Sequence, residues 1–174
     1  IELKARRRIG VGPFVTLVFE NRDTIRFQIQ EMARVERISS DAGIQVELDT
    51  YNPLIPEPGN LAATLFIELT DDEAMREWLP RLVGIEGAAE LRLGEGDAAE
   101  VVRCRVDPDH ARQLTRDEVT AAVHYVHFSL SPDQITAVEA GPVRLALVHP
   151  AYEHETVLSD DARAELVKDL RGED

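Results

Sequence analysis

The order of apolar and polar residues predicts strands and helices along most of the chain. Phe14 to Phe19 is a β-branched and apolar run that reads as a strand, after a turn at Gly10 to Pro13. Glu20-Asn21-Arg22-Asp23 is a polar break, and Asp23 or Thr24 can cap a helix behind it. Thr24 to Ile38 fits two templates. Ile25, Phe27 and Ile29 alternate as in a strand, whereas Ile25, Ile29, Met32 and Ala33 share one helical face. The helix formers between Gln28 and Arg37 favour a helix that begins near residue 24. A second helix is expected from Ser40 to about Tyr51, with Ser39 or Ser40 as its cap and Ile44, Leu48 and Tyr51 at helical spacing. Pro53, Pro56, Pro58 and Gly59 then stop regular structure.

Leu61 to Leu69 reads as a strand. Thr70 and Glu73 carry a capping-box signature, and the helix behind it turns Met75, Trp78, Leu79, Leu82 and Val83 inward with a kink at Pro80. Glu90–Leu93 and Ala99–Arg105 flank Gly94-Glu95-Gly96-Asp97 as a β-hairpin. Asp107 to Thr120 is a polar loop with one short helical turn, and Ala121 to Leu130 is a strand. Ser131-Pro132-Asp133-Gln134 combines a capping box with proline at the first helical position, and Gly141-Pro142 ends that helix. Val143 to Val148 is an apolar strand that His149-Pro150-Ala151-Tyr152 leaves, and Ser159 caps a last helix through Leu170. About six strands and about five helices with mixed connections define an α+β fold: a mostly antiparallel sheet with helices packed mainly on one face.

Composition narrows the function classes. At 174 residues the chain is expected to form a single domain over residues 1–174. With 19 Lys+Arg against 33 Asp+Glu, the formal net charge of −14 argues against a general nucleic-acid binder, whose footprint is basic. No apolar run approaches the ~20 residues of a spanning helix, and no signal peptide opens the chain, so no membrane partner is expected. The chain starts at Ile1, so an N-terminal segment is expected to be missing. Cys104 is the single cysteine. It can form no intrachain disulfide and no thiolate cage alone, which fits a reducing cytoplasm and a buried structural thiol. Lys4-Ala5-Arg6-Arg7-Arg8 is the one basic cluster, read as a solvated helix end or as a docking point for an acidic partner or phosphate.

Few residues carry recognisable chemistry. His124 and His127 have the H-x-x-H spacing of a metal pair, but in a strand positions i and i+3 point to opposite faces. His124 shares its face with Val126 and Phe128 and is expected to be half-buried, either as a core histidine or as a site histidine at the sheet surface. His149 and Tyr152 follow a strand end, and His154 lies between Glu153 and Glu155, where a cation could sit. A metal ion is possible if His124, His149, Glu31 and Glu36 converge; no other cofactor is evident. Gly10-Val11-Gly12-Pro13 precedes a strand and so fails the dinucleotide context, and Ser129 and Ser131 lack nucleophile-elbow glycines. The densest polar constellation runs from Glu20 to Arg37. Asn21, Arg22, Gln28, Gln30, Glu31, Arg34 and Arg37 form a candidate binding surface, or a charged helix laced by pairs four residues apart.

Several stretches carry a resemblance. Phe19 through Met32 with Glu36-Arg37-Ile38, then Leu48 through Ile55 and Pro56, resemble the bacterial domain-of-unknown-function family three-five-zero-one. Leu82 through Glu86, Val123-His124-Tyr125 and His149 through Tyr152 also resemble its pattern. His124 fits that pattern better than His127 does. The resemblance covers nearly the whole chain and names no activity. It implies an association with rubrerythrin-like or iron–sulfur oxidoreductase proteins, and so an accessory role in redox or peroxide metabolism. Two hypotheses follow. One is a non-enzymatic accessory or partner protein of an iron- or Fe–S-dependent system. The other is a metal-binding protein or enzyme with a His/carboxylate site. Homodimerisation through the first helix pair is compatible with both.

Overall fold

A computed structural model describes residues 5–107 and 118–173. Among these residues there are eight strands, β1 (Arg8–Val11), β2 (Val15–Phe19), β3 (Asn60–Ile67), β4 (Ala89–Leu93), β5 (Glu100–Arg103), β6 (Val123–Ser129), β7 (Val143–His149) and β8 (Tyr152–Val157). The five helices are α1 (Arg22–Val35), α2 (Asp41–Tyr51), α3 (Asp72–Trp78), α4 (Pro132–Ala140) and α5 (Asp160–Arg171). None is long and apolar enough to cross a membrane.

The fold is α+β and its sheets are antiparallel, but the expected single sheet is two sheets of four strands. Their orders are β1-β2-β3-β6 and β5-β4-β7-β8. Strand alternation explains how they meet. In the first sheet Ile9, Leu17, Leu65 and His124 lie in one row across all four strands, and Phe19, Ala63 and Val126 lie in the next. These face the same core as Leu91, Leu93, Leu145 and Leu147 of the second sheet, so the sheets share one apolar interior. The two sheets are also linked at their edges. Thr156 Oγ1 of β8 donates to the Gly10 carbonyl of β1 at 2.7 Å. Arg105, just after β5, exchanges backbone hydrogen bonds of 2.8 and 2.9 Å with His127 of β6.

The helices do not gather on one face. Val138 of α4 and Ala162, Leu166 and Leu170 of α5 pack into the shared core. The α1–α2 hairpin instead roofs the outer face of the first sheet, with a small apolar cluster of Ile25, Ile29 and Leu54 against Leu48, Tyr51, Ile55 and Tyr125.

Two strands were hidden in the sequence. β1 lies within the expected basic cluster and turn, and β8 carries the polar run Tyr152-Glu153-His154-Glu155-Thr156-Val157. Within the basic cluster Arg6 and Arg8 are exposed, as a solvated helix end would be, but Arg7 turns inward; Lys4 lies outside the described residues. Arg7 is 1% exposed, and its guanidinium makes a bidentate pair with Asp169 of α5 at 2.7 and 2.8 Å, with Glu165 at 3.2 Å. It also donates to the Phe19 carbonyl at 3.1 Å. The chain before β1 is thereby tied to the C-terminal helix.

Helix caps refine the expected boundaries. Ser40, Ser131 and Ser159 cap α2, α4 and α5 as expected, and Gln134 completes the capping box of α4. Helix α1 starts earlier than expected because Asn21, not Asp23 or Thr24, is its cap. Thr24 closes the box by accepting from the Asn21 N–H at 2.9 Å. Asp71, not Thr70, caps α3, which ends at Trp78 rather than running through Pro80. The hairpin around Gly94 to Asp97 is present as β4 and β5. Most of the expected loop from Asp107 to Thr120, with His110, lies outside the described residues.

Candidate functional site

The outer face of the first sheet carries a cleft. Arg8, Val18, Thr64 and Tyr125 are direct cross-strand partners in one row across β1, β2, β3 and β6. Phe66 and Val123 form the row beside it. Ile25 and Gln28 of α1, Tyr51 of α2 and Leu54 form the facing wall, and the enclosed cleft is about 380 Å3. That size suits a small molecule, and the mix of an apolar lining with a few polar groups is usual for such sites.

Glu20 supplies the charge. It sits between the end of β2 and the Asn21 cap, and it is 7% exposed. Its backbone N–H donates to the Ala62 carbonyl at 2.8 Å, which fixes the turn into α1. The Thr24 hydroxyl donates to one carboxylate oxygen, and the Thr64 hydroxyl donates to the other at 3.0 Å. The N-terminus of α1 lies alongside, and its dipole favours negative charge there. Among the described residues no Arg, Lys or His makes an ion pair with Glu20, although burying a carboxylate without a counter-charge is costly. Arg8 also lines the cleft, with its guanidinium held by Glu68. Burial pushes the Tyr125 hydroxyl above its ordinary pKa, and the nearby Tyr51 and Glu20 push it the same way.

The predicted binding constellation divides into three. Gln28 faces this cleft. Arg22 and Gln30 line a separate groove of about 240 Å3 between α1 and α2. Asn21 is buried as the helix cap, while Arg34 pairs with Glu31 at 2.9 Å on the outside of the helix. Arg37 follows the helix, exposed, in a left-handed conformation with φ of 53°. Composition did not single out Thr64, which hydrogen-bonds Glu20, or the cleft residues Tyr51 and Tyr125. Their only sequence signal is that they fall on the outward positions of strands β3 and β6 or at the end of α2. A broader groove of about 560 Å3 lies beyond Tyr51, around Pro53, Ile55, Arg105 and His127.

The four candidate metal ligands stay apart. His124 belongs to the core-facing row of the first sheet, whereas Glu31 and Glu36 belong to the α1 region that roofs the opposite face. His124 is fully buried rather than half-buried, at 1% exposure. Its Nε2 lies 2.9 Å from the Ala121 carbonyl and 2.8 Å from Thr120 Oγ1. A carbonyl only accepts, so Nε2 carries the proton and Nδ1 is the basic atom, 4.0 Å from a Glu86 carboxylate oxygen. Burial lowers the His124 pKa below its ordinary value, against the pull of Glu86. His149 uses both ring nitrogens on backbone: Nε2–H donates to Val83 O at 2.9 Å, and Nδ1 accepts from Ala151 N–H at 3.0 Å. Near His154, Glu155 is taken up by Arg92 and Arg144. Among the described residues no group of three or more His, Cys, Asp or Glu is placed to hold a metal ion.

Cys104 lies just past β5 and is half-buried, with Sγ 3.2 Å from the Glu86 carbonyl. Burial pushes its pKa up to about 11. A raised pKa leaves little reactive thiolate, as expected of a structural thiol.

Fold and cleft together define an α+β protein of two antiparallel sheets linked at their edges, with a helical hairpin roofing a small-molecule-sized cleft. The chain belongs to the family described as "Protein of unknown function (DUF3501)", whose model matches residues 1–170. It is also similar to a solved structure from Burkholderia pseudomallei K96243, itself described as a novel protein of unknown function. The two share 38% identity and superpose with a TM-score of 0.84, over 97% of this chain and 86% of that one. No curated protein matches the chain.

Proposed function

We propose that this protein is a non-enzymatic accessory or partner protein that docks through the outer side of its α1–α2 hairpin. The observation that carries the reading is how little of the hairpin the fold consumes. Helix α2 has no fully buried residue, and Phe27, Val35 and Val46 are 42%, 62% and 61% exposed. Arg22, Gln30, Arg34 and Arg37 are exposed on the same hairpin, so apolar and hydrogen-bonding groups are offered together, as at protein interfaces. The finer reading extends what the sequence resemblance implies. It points to an iron- or Fe–S-dependent redox or peroxide-stress system in the cytoplasm, with a rubrerythrin-like or iron–sulfur oxidoreductase partner.

The test is photo-crosslinking in the native cell from a reactive residue placed at Val46 of the full chain. Capture of an iron or Fe–S redox protein, weakened in an Arg34→Glu, Arg37→Glu double variant, is the expected result. Crosslinks only between copies of the chain would replace the partner with a homodimer. Crosslinks to proteins with no redox centre would remove the redox assignment.

A second reading, a His/carboxylate metal site, is favoured by one observation, the 4.0 Å approach of His124 Nδ1 to Glu86. Metal analysis of full-length protein purified without chelators tests it. Near-stoichiometric metal that His124→Ala removes would support it, and metal-free protein would dismiss it.

A further inference from the structure

We propose that the cleft under the α1–α2 hairpin binds a small organic cation, a protonated amine on an apolar or aromatic body, with Glu20 as its counter-charge. The inference is separate from the docking surface, which lies on the outer side of the hairpin.

Three observations lead to it. The first is the carboxylate. Glu20 is 7% exposed and borders the cleft, yet among the described residues it makes no ion pair. Two threonine hydroxyls donate to it, one to each oxygen. An ionised carboxylate has roughly four lone-pair positions, so acceptor capacity remains toward the cleft. An ammonium group is the complementary donor, and a charge-assisted hydrogen bond in a partly desolvated place is stronger than a neutral one.

The second observation is the wall. Tyr51 and Tyr125 line the cleft together with Glu20, and both pack against the same small apolar cluster under the hairpin. Phenol rings present negative faces, which attract a cation, while their hydroxyls accept further hydrogen bonds. Gln28 adds an amide oxygen as another acceptor.

The third is the remainder of the lining. Val18, Ile25, Leu54, Phe66 and Val123 are apolar, and the cleft of about 380 Å3 has room for a ring or a short chain beside the charged group. A bare inorganic cation would leave this apolar part unfilled. An anion would have to lie against Glu20, and the Arg8 guanidinium, among the described lining residues, pairs with Glu68.

The experiment is an NMR titration of the full chain with three probes of one shape and different charge: phenethylamine, phenethyl alcohol and hydrocinnamate. The amine is expected to bind saturably in the millimolar range or tighter, at least about tenfold better than the alcohol, and to shift the Tyr51 and Tyr125 rings and the Gln28 side-chain amide. The acid is expected not to bind. In Glu20→Gln the amine is expected to fall to the affinity of the alcohol. The wild-type charge series decides the matter even if that variant does not fold. Equal affinity for amine and alcohol would overturn the proposal in favour of a neutral apolar cleft. Preference for the acid, shifts confined to other surfaces, or no saturable shift with the amine would overturn it outright.

Discussion

Arg7 and Arg8 are adjacent and chemically identical, and their surroundings give them opposite importance. Arg7 is buried between Asp169 and Glu165 of α5, whereas the pair between Arg8 and Glu68 is about half exposed on both sides. Removing Arg7 takes away the bidentate partner of the buried Asp169 carboxylate, so Arg7→Ala is expected to cost about 3–5 kcal/mol. Arg8→Ala is expected to cost less than about 1 kcal/mol. Urea unfolding of the two variants checks the contrast, and similar losses would refute it. Arg7→Lys is expected to recover only part of the stability, because a lysine cannot match the bidentate geometry. Cys104 gives a second residue-level test. With its pKa raised to about 11, little thiolate exists near neutrality. Alkylation by iodoacetamide at mildly alkaline pH is expected to be at least about a hundredfold slower than in the urea-unfolded chain, followed by mass spectrometry.

At the scale of elements, the turn joining β1 to β2 is held from outside by β8. The Tyr152 hydroxyl donates to the Val11 carbonyl and accepts from the N–H groups of Phe14 and Val15, both at 3.2 Å. Gly12 has φ of 74°, and a Cβ there would lie 2.5 Å from the Tyr152 hydroxyl oxygen. Tyr152→Phe is therefore expected to cost about 1–3 kcal/mol and to speed hydrogen exchange at Phe14 and Val15 above the rest of β2. Unchanged exchange at those two amides would mean that the turn stands without the clamp.

The same pair of strands shows why part of the fold was illegible. β2, β3 and β6 announce themselves through β-branched and apolar residues, and α2, α4 and α5 through serine caps. β8 turns only Tyr152 fully inward and carries Glu153, His154 and Glu155, charges that suit a sheet edge but erase the apolar signal. β1 is short and begins with an arginine, and its partner is set by register rather than by its own pattern. The cleft was half legible for a related reason. Gln28 and the polar run after Glu20 stand out locally. Arg8, Thr64 and Tyr125 come together only because antiparallel pairing brings distant residues into one cross-strand row.

For the whole molecule, the shared core of the two sheets couples one histidine to global stability. His124 ends the core row that begins at Ile9, and its ring cannot reach water without opening the packing around it. Burial holds its folded-state pKa below the ordinary value of 6.5, and the attraction of Glu86 offsets that only in part. Below pH 6.5 the unfolded chain therefore binds a proton at this position more readily than the folded one. Its contribution to stability is present above the unfolded pKa and is lost as pH falls toward the folded value. Urea unfolding between about pH 7.5 and pH 5.5 is expected to show stability declining with acidification in that window. His124→Gln retains an N–H that can reach the Ala121 carbonyl and carries no titrating group, so it is expected to flatten the slope even if it lowers stability throughout. An equal slope in both proteins would assign the acid sensitivity to other groups.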